Sequence, residues 1–309
     1  MGRHIDILID NMEKIIVGKR SVIKYLLVAV LSNGHVLIED VPGVGKTQLV
    51  ATLARSVSGI FNRIQFTPDV MPSDVTGFSM FNPSTREFEY RKGVAMCNFL
   101  LADEINRASP KTQSSLLEVM EEFQVTVDGK TYKTPQPFMV LATQNPIESF
   151  GTYALPEAQM DRFFLKLSIG YPSDEEEKKI IDRFGKENPL ADLEFVMTPQ
   201  ELISIKEKVK NIRVVEALKE YIIKIVIETR SNSNVVLGCS PRGSLNLYRA
   251  SKAWAYIMGR DYVIPDDIQR MAVPILSHRI LMNQNAKMEN INASGLIEDI
   301  LHKTEVPVI

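Results

Sequence analysis

Val36-Leu37-Ile38-Glu39-Asp40-Val41-Pro42-Gly43-Val44-Gly45-Lys46-Thr47 is the stretch that sets the fold class. A short apolar run ends in a glycine turn, and helical spacing follows from Thr47 to about Ser58. In a strand–turn–helix of this kind the glycines let backbone N–H groups close around phosphate oxygens, and the helix N-terminus adds a positive dipole end. Lys46 is placed to reach the β- and γ-phosphates, and the Thr47 hydroxyl to ligate Mg²⁺. The turn therefore predicts ATP and Mg²⁺ as ligands, with Gly43, Val44, Gly45, Lys46, Thr47 and Gln48 as the ATP-binding set. Asp40 stands where the pattern GxxxxGK[ST] has its first glycine. It precedes the cradle, so the turn is expected to tolerate it, with the carboxylate capping the loop.

Outward from this turn, short apolar runs alternate with helical stretches up to about residue 170, the signature of an α/β fold. Ile60–Phe66, Phe99–Ala102, Phe138–Ala142 and Phe163–Ile169 bring the strand count to five. Phe99-Leu100-Leu101-Ala102 is apolar throughout, as in a strand buried on both faces of a parallel sheet. Ser109-Pro110 supplies an N-cap and a preset first residue for a helix through Glu122. Gln124–Thr134 alternates around Asp128-Gly129, a two-residue hairpin signal.

Tyr171-Pro172-Ser173 marks a change of style. Ser173 with Glu176, and Thr198 with Glu201, form capping boxes, and Ser240-Pro241 and Ile264-Pro265-Asp266 open further helices. The reading is an α/β domain over residues 1–172 and an all-helical domain over 173–309.

Asp103-Glu104 ends the buried strand. Ligands of open α/β sheets bind beyond the carboxyl ends of the strands, so both carboxylates are expected to face the nucleotide. Asp103 is placed to hold Mg²⁺ through water, and Glu104 to orient and activate the attacking water.

These motifs, with Asp103–Ala108, Ala142-Thr143-Gln144-Asn145-Pro146, Asp161-Arg162-Phe163 and Ser240-Pro241-Arg242, resemble the AAA+ ATPases, and more closely the MoxR family. The similarity runs from about Ile15 to about Arg279. Phe66-Thr67-Pro68-Asp69, Pro72–Gly77 and Leu116–Glu122 are close to that family's own wording. The resemblance implies a P-loop NTPase core, a five-stranded parallel sheet flanked by helices, followed by a helical lid. It implies that Asn145 is sensor 1, that Arg162 is the arginine finger reaching a neighbouring subunit's nucleotide, and that Arg242 is sensor 2, touching the γ-phosphate of its own subunit. Ile16-Val17-Gly18 corresponds to the segment that packs on the adenine. Thr67–Phe81 resembles the family's helix-2 insert, and Gln124–Thr134 its hairpin before sensor 1. Such elements project toward a pore or partner, although Val70, Met71, Val75, Phe78, Met80 and Phe81 could equally pack internally.

The resemblance further implies a ring, a hexamer, that hydrolyses ATP between subunits and remodels or assembles a client protein complex. A separate protein carrying a von Willebrand factor A domain is the expected partner.

Composition narrows the alternatives. In 309 residues, Lys+Arg 36 against Asp+Glu 38 gives a net charge of −2, which counts against a nucleic-acid motor whose footprint is phosphate neutralisation. No apolar run approaches the roughly 20 residues of a membrane span, and the N-terminus lacks a signal-peptide pattern, so a cytoplasmic protein is expected. Cys97 and Cys239 read as reduced core thiols, and the scattered His4, His35, His278 and His302 make no metal set.

Overall fold

The strand opening the quoted stretch, β1 (Val36–Glu39), lies inside a five-stranded sheet with β2 (Phe61–Gln65), β3 (Phe99–Asp103), β4 (Met139–Gln144) and β5 (Leu165–Leu167). The order is β2-β3-β4-β1-β5, and every pairing is parallel. These features come from a computed structural model that describes residues 3–41, 43–144, 153–185 and 188–308. The sheet matches the five runs seen in the sequence. Its polarity places the ends of β3, β4 and β1 side by side, where the chain leaves at Asp103, Gln144 and Glu39.

The period-two alternation of a strand sorts the sheet's side chains into two cores. Phe99, Leu101, Met139, Leu141, Val36 and Ile38 face one way, against the helices Arg20–Leu31 and Lys46–Ser56. Leu100, Ala102, Val140, Ala142 and Leu37 face the other, under the helix Pro110–Glu122. That helix starts as expected, with the Ser109 hydroxyl accepting from the Thr112 N–H at 3.3 Å. The first core does not stop at the sheet. Through Arg20–Leu31 it continues into Leu202, Ile225, Trp254 and Ile275 of the C-terminal helices. Tyr25 stacks on Trp254 with 5.4 Å between ring centroids, and the Arg270 guanidinium lies over both rings.

Beyond Ser173 the helices are Asp174–Phe184, Pro199–Lys210, Glu216–Ser231, Pro241–Ile257, Pro265–Leu276 and Ala293–Lys303, with a short one at Gln284–Met288. Both capping boxes form, at Ser173/Glu176 and Thr198/Glu201. The expectation of purely helical structure here needs correction. Val235–Leu237 pairs antiparallel with Leu281–Met282. Strands of three and two residues are too short for an alternating pattern, and partners 40 or more residues apart leave no turn signal between them.

The insert also extends past Phe81. A short helix, Pro72–Thr76, leads into a hairpin of Gly77–Asn82 with Glu87–Lys92. Val75 is buried and Val70 packs on the core, whereas Met71, Phe78, Met80, Phe81 and Phe88 are exposed, Phe88 by 70%. The second hairpin, Gln124–Val127 with Lys130–Lys133, turns through Asp128 and Gly129 at φ of 48° and 74°, the left-handed pair that its sequence predicts. The two hairpins lean together through Tyr90 and Tyr132, whose rings stack at 4.1 Å. Cys97 and Cys239 are buried and free, and burial pushes their thiols up to about 12 and about 11. No helix among the described residues is long and apolar enough to cross a membrane.

Candidate functional site

Gly43 and Gly45 both take φ of 87°, and a Cβ built at either would touch nothing within 4 Å. Backbone conformation alone therefore demands glycine there. The turn delivers Lys46 and Thr47 to the first turn of their helix, at the wall of a cavity of about 400 Å³. Asp103, Glu104 and Thr143 line the same cavity from the ends of β3 and β4. The structure thus brings the predicted Lys46 and Thr47 together with the predicted Asp103 and Glu104, from two motifs more than 50 positions apart in the chain.

Hydrogen bonds fix the acidic end. The Thr143 hydroxyl donates to Asp103 Oδ1 at 2.6 Å and accepts from the Glu104 N–H at 2.9 Å. Arg63, on β2, donates to Asp103 Oδ2 at 2.9 Å. Glu104 is held at φ 55°, a left-handed conformation that costs about 1–3 kcal/mol for a residue with a side chain. Its carboxylate accepts from Arg107 at 2.9 Å. The Lys46 ammonium donates to the Asp40 carbonyl at 2.8 Å. Burial lowers its pKa, opposed by the nearby charges of Asp103, Asp40 and Glu104.

Asp40 does more than cap the loop. It is only 8% exposed, and its Oδ2 accepts from the backbone N–H groups of Ile169 at 2.5 Å and Gly170 at 2.9 Å, while Oδ1 accepts from the Val41 N–H at 3.1 Å. The carboxylate thereby ties the base of the turn to the chain leaving β5. A glycine here would take the acceptor from the buried Ile169 N–H and the half-buried Gly170 N–H.

A second, more apolar cavity of about 270 Å³ adjoins the turn, lined by Ile16, Val17, Val44, Leu49, Ile180 and Phe184 among others. Gly43, Gly45 and Gln48 line both cavities. Gln48 Oε1 is a buried acceptor with no donor among the described residues. Gly18, next to Val17 in sequence, has φ of 72°, and a Cβ on it would lie 1.7 Å from Glu176 Oε1.

The two arginines lie elsewhere. Arg162 Nε is 3.3 Å from Glu121 Oε2, and Arg242 donates to Glu121 Oε1 at 2.8 Å. Both line a cavity of about 190 Å³ that shares no residue with the phosphate cavity. Arg242, expected at its own subunit's γ-phosphate, lines the cavity beside Arg162 and not the phosphate cavity. Its helix starts at Ser240, whose hydroxyl bonds Asp161 Oδ2 at 3.2 Å, and this anchors the helix beside Arg162 rather than above Lys46. Asn145 lies outside the described residues. Sequence reasoning missed Arg63, Thr143 and Glu121. Thr143 and Glu121 lay inside quoted stretches without a role assigned to them, and Arg63 carried no local signal.

Residues 35–165 match the ATPase family associated with various cellular activities (AAA), and residues 227–300 match the AAA lid domain. The chain is 51% identical to the uncharacterized protein YeaC of Bacillus subtilis, over 97% of this chain and 94% of that one. It is 43% identical to Chaperone MoxR1 of Mycobacterium tuberculosis, over 97% of this chain and 82% of the relative. A crystal structure of a candidate ATPase from Cytophaga hutchinsonii superposes with a TM-score of 0.93 at 40% identity, covering 99% of this chain and 96% of that one.

Proposed function

Because the chain belongs to the MoxR family of AAA+ ATPases, we propose that it hydrolyses ATP at sites shared between subunits and uses the cycle to remodel or assemble client protein complexes. The observation that carries this reading is the separation just described. One cavity holds Lys46, Thr47, Asp103 and Glu104, while Arg162 and Arg242 lie together in another.

In the first cavity the N–H groups of Gly43–Thr47 and Lys46 bind the phosphates, and the apolar cavity beside Val17 takes the base. Gln48 offers its unpartnered oxygen between them. Thr47 and Asp103 would hold Mg²⁺. One hydroxyl and one carboxylate suit an ion that keeps waters and takes its remaining oxygens from phosphate, and no cluster of three or more acidic, His or Cys ligands occurs among the described residues. Bound there, the ion neutralises charge on the β- and γ-phosphates. Glu104 orients a water and accepts its proton, and Asn145 supports that water by family resemblance. Arg162 completes the site of the next subunit. Arg242, held to the same carboxylate, approaches that neighbour as well.

A ring, a hexamer by resemblance, follows from this division of labour. We read the chain as a core over residues 1–172 and a lid over 173–309, working in the cytoplasm on a separate client, with a von Willebrand factor A protein as adaptor. The exposed Phe78, Phe81 and Phe88 of the insert hairpin favour a protein client. The test is phosphate release measured across protein concentration, for the wild type, Lys46→Ala and Glu104→Gln. Specific activity should rise with assembly, Lys46→Ala should lose ATP binding, and Glu104→Gln should bind without turnover. A constant specific activity would remove the shared site, and equal loss of ATP affinity in both variants would remove the assigned roles.

A further inference from the structure

The segment that carries Arg162 is held from the far end of the chain. Arg279 is 6% exposed, and its guanidinium faces the segment Asp161–Phe164. Nη1 donates to the Asp161 carbonyl at 2.8 Å and also to its Oδ1. Nη2 donates to the carbonyls of Phe163 and Phe164, the latter at 3.3 Å. Nε donates to Ile275 O at 2.7 Å, which fixes the side chain to the end of the preceding helix, Pro265–Leu276. The neighbouring His278 donates from Nε2 to the Phe163 carbonyl at 3.1 Å. The other oxygen of Asp161 is taken by the Ser240 hydroxyl at 3.2 Å. Residues on both sides of Arg162 are therefore gripped by two lid segments, around 240 and around 279.

A planar, permanently charged fork that meets three carbonyls and a carboxylate sets the orientation of that backbone far more tightly than an ammonium could. Displacing a catalytic group by about 1 Å can cost about 10²-fold in rate. We infer that Arg279 and Asp161 are positioning residues that mount Arg162 on the lid, so that the lid of one subunit sets the activity of its neighbour's ATP site. This rests on the reading of Arg162 as a finger supplied between subunits.

The test uses rings mixed from two disabled chains. Lys46→Ala chains keep a finger but bind no nucleotide, and Arg162→Ala chains bind nucleotide but lack the finger. Mixing them should restore hydrolysis that neither has alone. Arg279→Lys added to the Lys46→Ala chain should lower the restored rate about tenfold or more, with KM for ATP unchanged within about twofold. The same change added to the Arg162→Ala chain should leave the restored rate unaltered. Equal losses in both placements, or a loss confined to the Arg162→Ala chain, would overturn the inference. Absence of any restoration on mixing would instead overturn the shared-site reading beneath it. If Arg279→Lys fails to melt cooperatively or to join rings, Asp161→Asn is placed in the same two positions, with the same outcomes deciding.

Discussion

The phosphate cavity and the arginine cavity belong to one chain, yet they are built by opposite means. The first is assembled from contiguous motifs at the ends of neighbouring strands, and each functional residue sits on the element its own motif creates. The second is assembled from three distant places, Glu121, Arg162 and Arg242, and is held by a lid residue farther still along the chain. A site made of strand ends is rigid by construction, because the sheet supplies the rigidity. A site made where two parts of the chain meet has only the stiffness of that meeting, and is where regulation can act.

The largest effect should come from the weaker-built side. Arg162→Ala is expected to lower assembly-dependent turnover by about 10³-fold or more while ATP affinity stays unchanged, read by phosphate release beside nucleotide binding. A parallel loss of affinity would show that the two cavities are not functionally separate. On the strand-built side, Glu104→Gln should slow turnover by about 10²–10⁴-fold and leave the assembled, ATP-bound state intact. Turnover near that of the wild type would move the general base elsewhere.

Acid should also affect the arginine side. His35 is buried beside Glu121, donating from Nε2 to Met120 O at 2.8 Å and accepting the Val140 N–H on Nδ1 at 2.9 Å. Desolvation lowers its pKa from 6.5 to about 4. The folded form therefore binds this proton less readily than the unfolded chain does. Stability is complete above pH 6.5, declines as pH falls toward 4, and loses about 3 kcal/mol across that window. His278, buried and also lowered, acts in the same direction. Urea unfolding at pH 7.5 and 5 should show the decline, and His35→Gln should reduce it. An unchanged slope would clear His35 of the effect. The smallest effect concerns Asp40. Asp40→Gly restores the usual glycine of the motif, yet it should destabilise the fold by about 1–3 kcal/mol, because the N–H groups of Ile169 and Gly170 lose their acceptor. A variant as stable as the wild type in urea would show that water replaces the carboxylate.

The same contrast decides what could be read in advance. The turn at Gly43–Thr47, the buried strand Phe99–Ala102 with its acidic end, and the Asp128-Gly129 hairpin were legible because each signal lies within a few residues of its effect. Arg63 with Asp103, Asp40 with Gly170, and Arg279 with Asp161 join positions 40, 130 and 118 apart. Nothing local marks such partners. The position of Arg242 has the same origin: its motif marks the start of its helix, but the bond from Ser240 to Asp161 ties that start to the segment of Arg162. The short strands at Val235–Leu237 and Leu281–Met282 escaped notice because so few residues carry no periodicity.

The apolar core that runs from β1 through Arg20–Leu31 to Trp254 and Ile275 has a mechanical meaning. To swing the lid away from the sheet, the chain would have to pull Tyr25 from Trp254 and wet a continuous oily seam. Such a body transmits a push from end to end instead of absorbing it as bending. In the proposed ring, strain raised at one nucleotide would then pass to the neighbouring copy through Arg162 and Arg242.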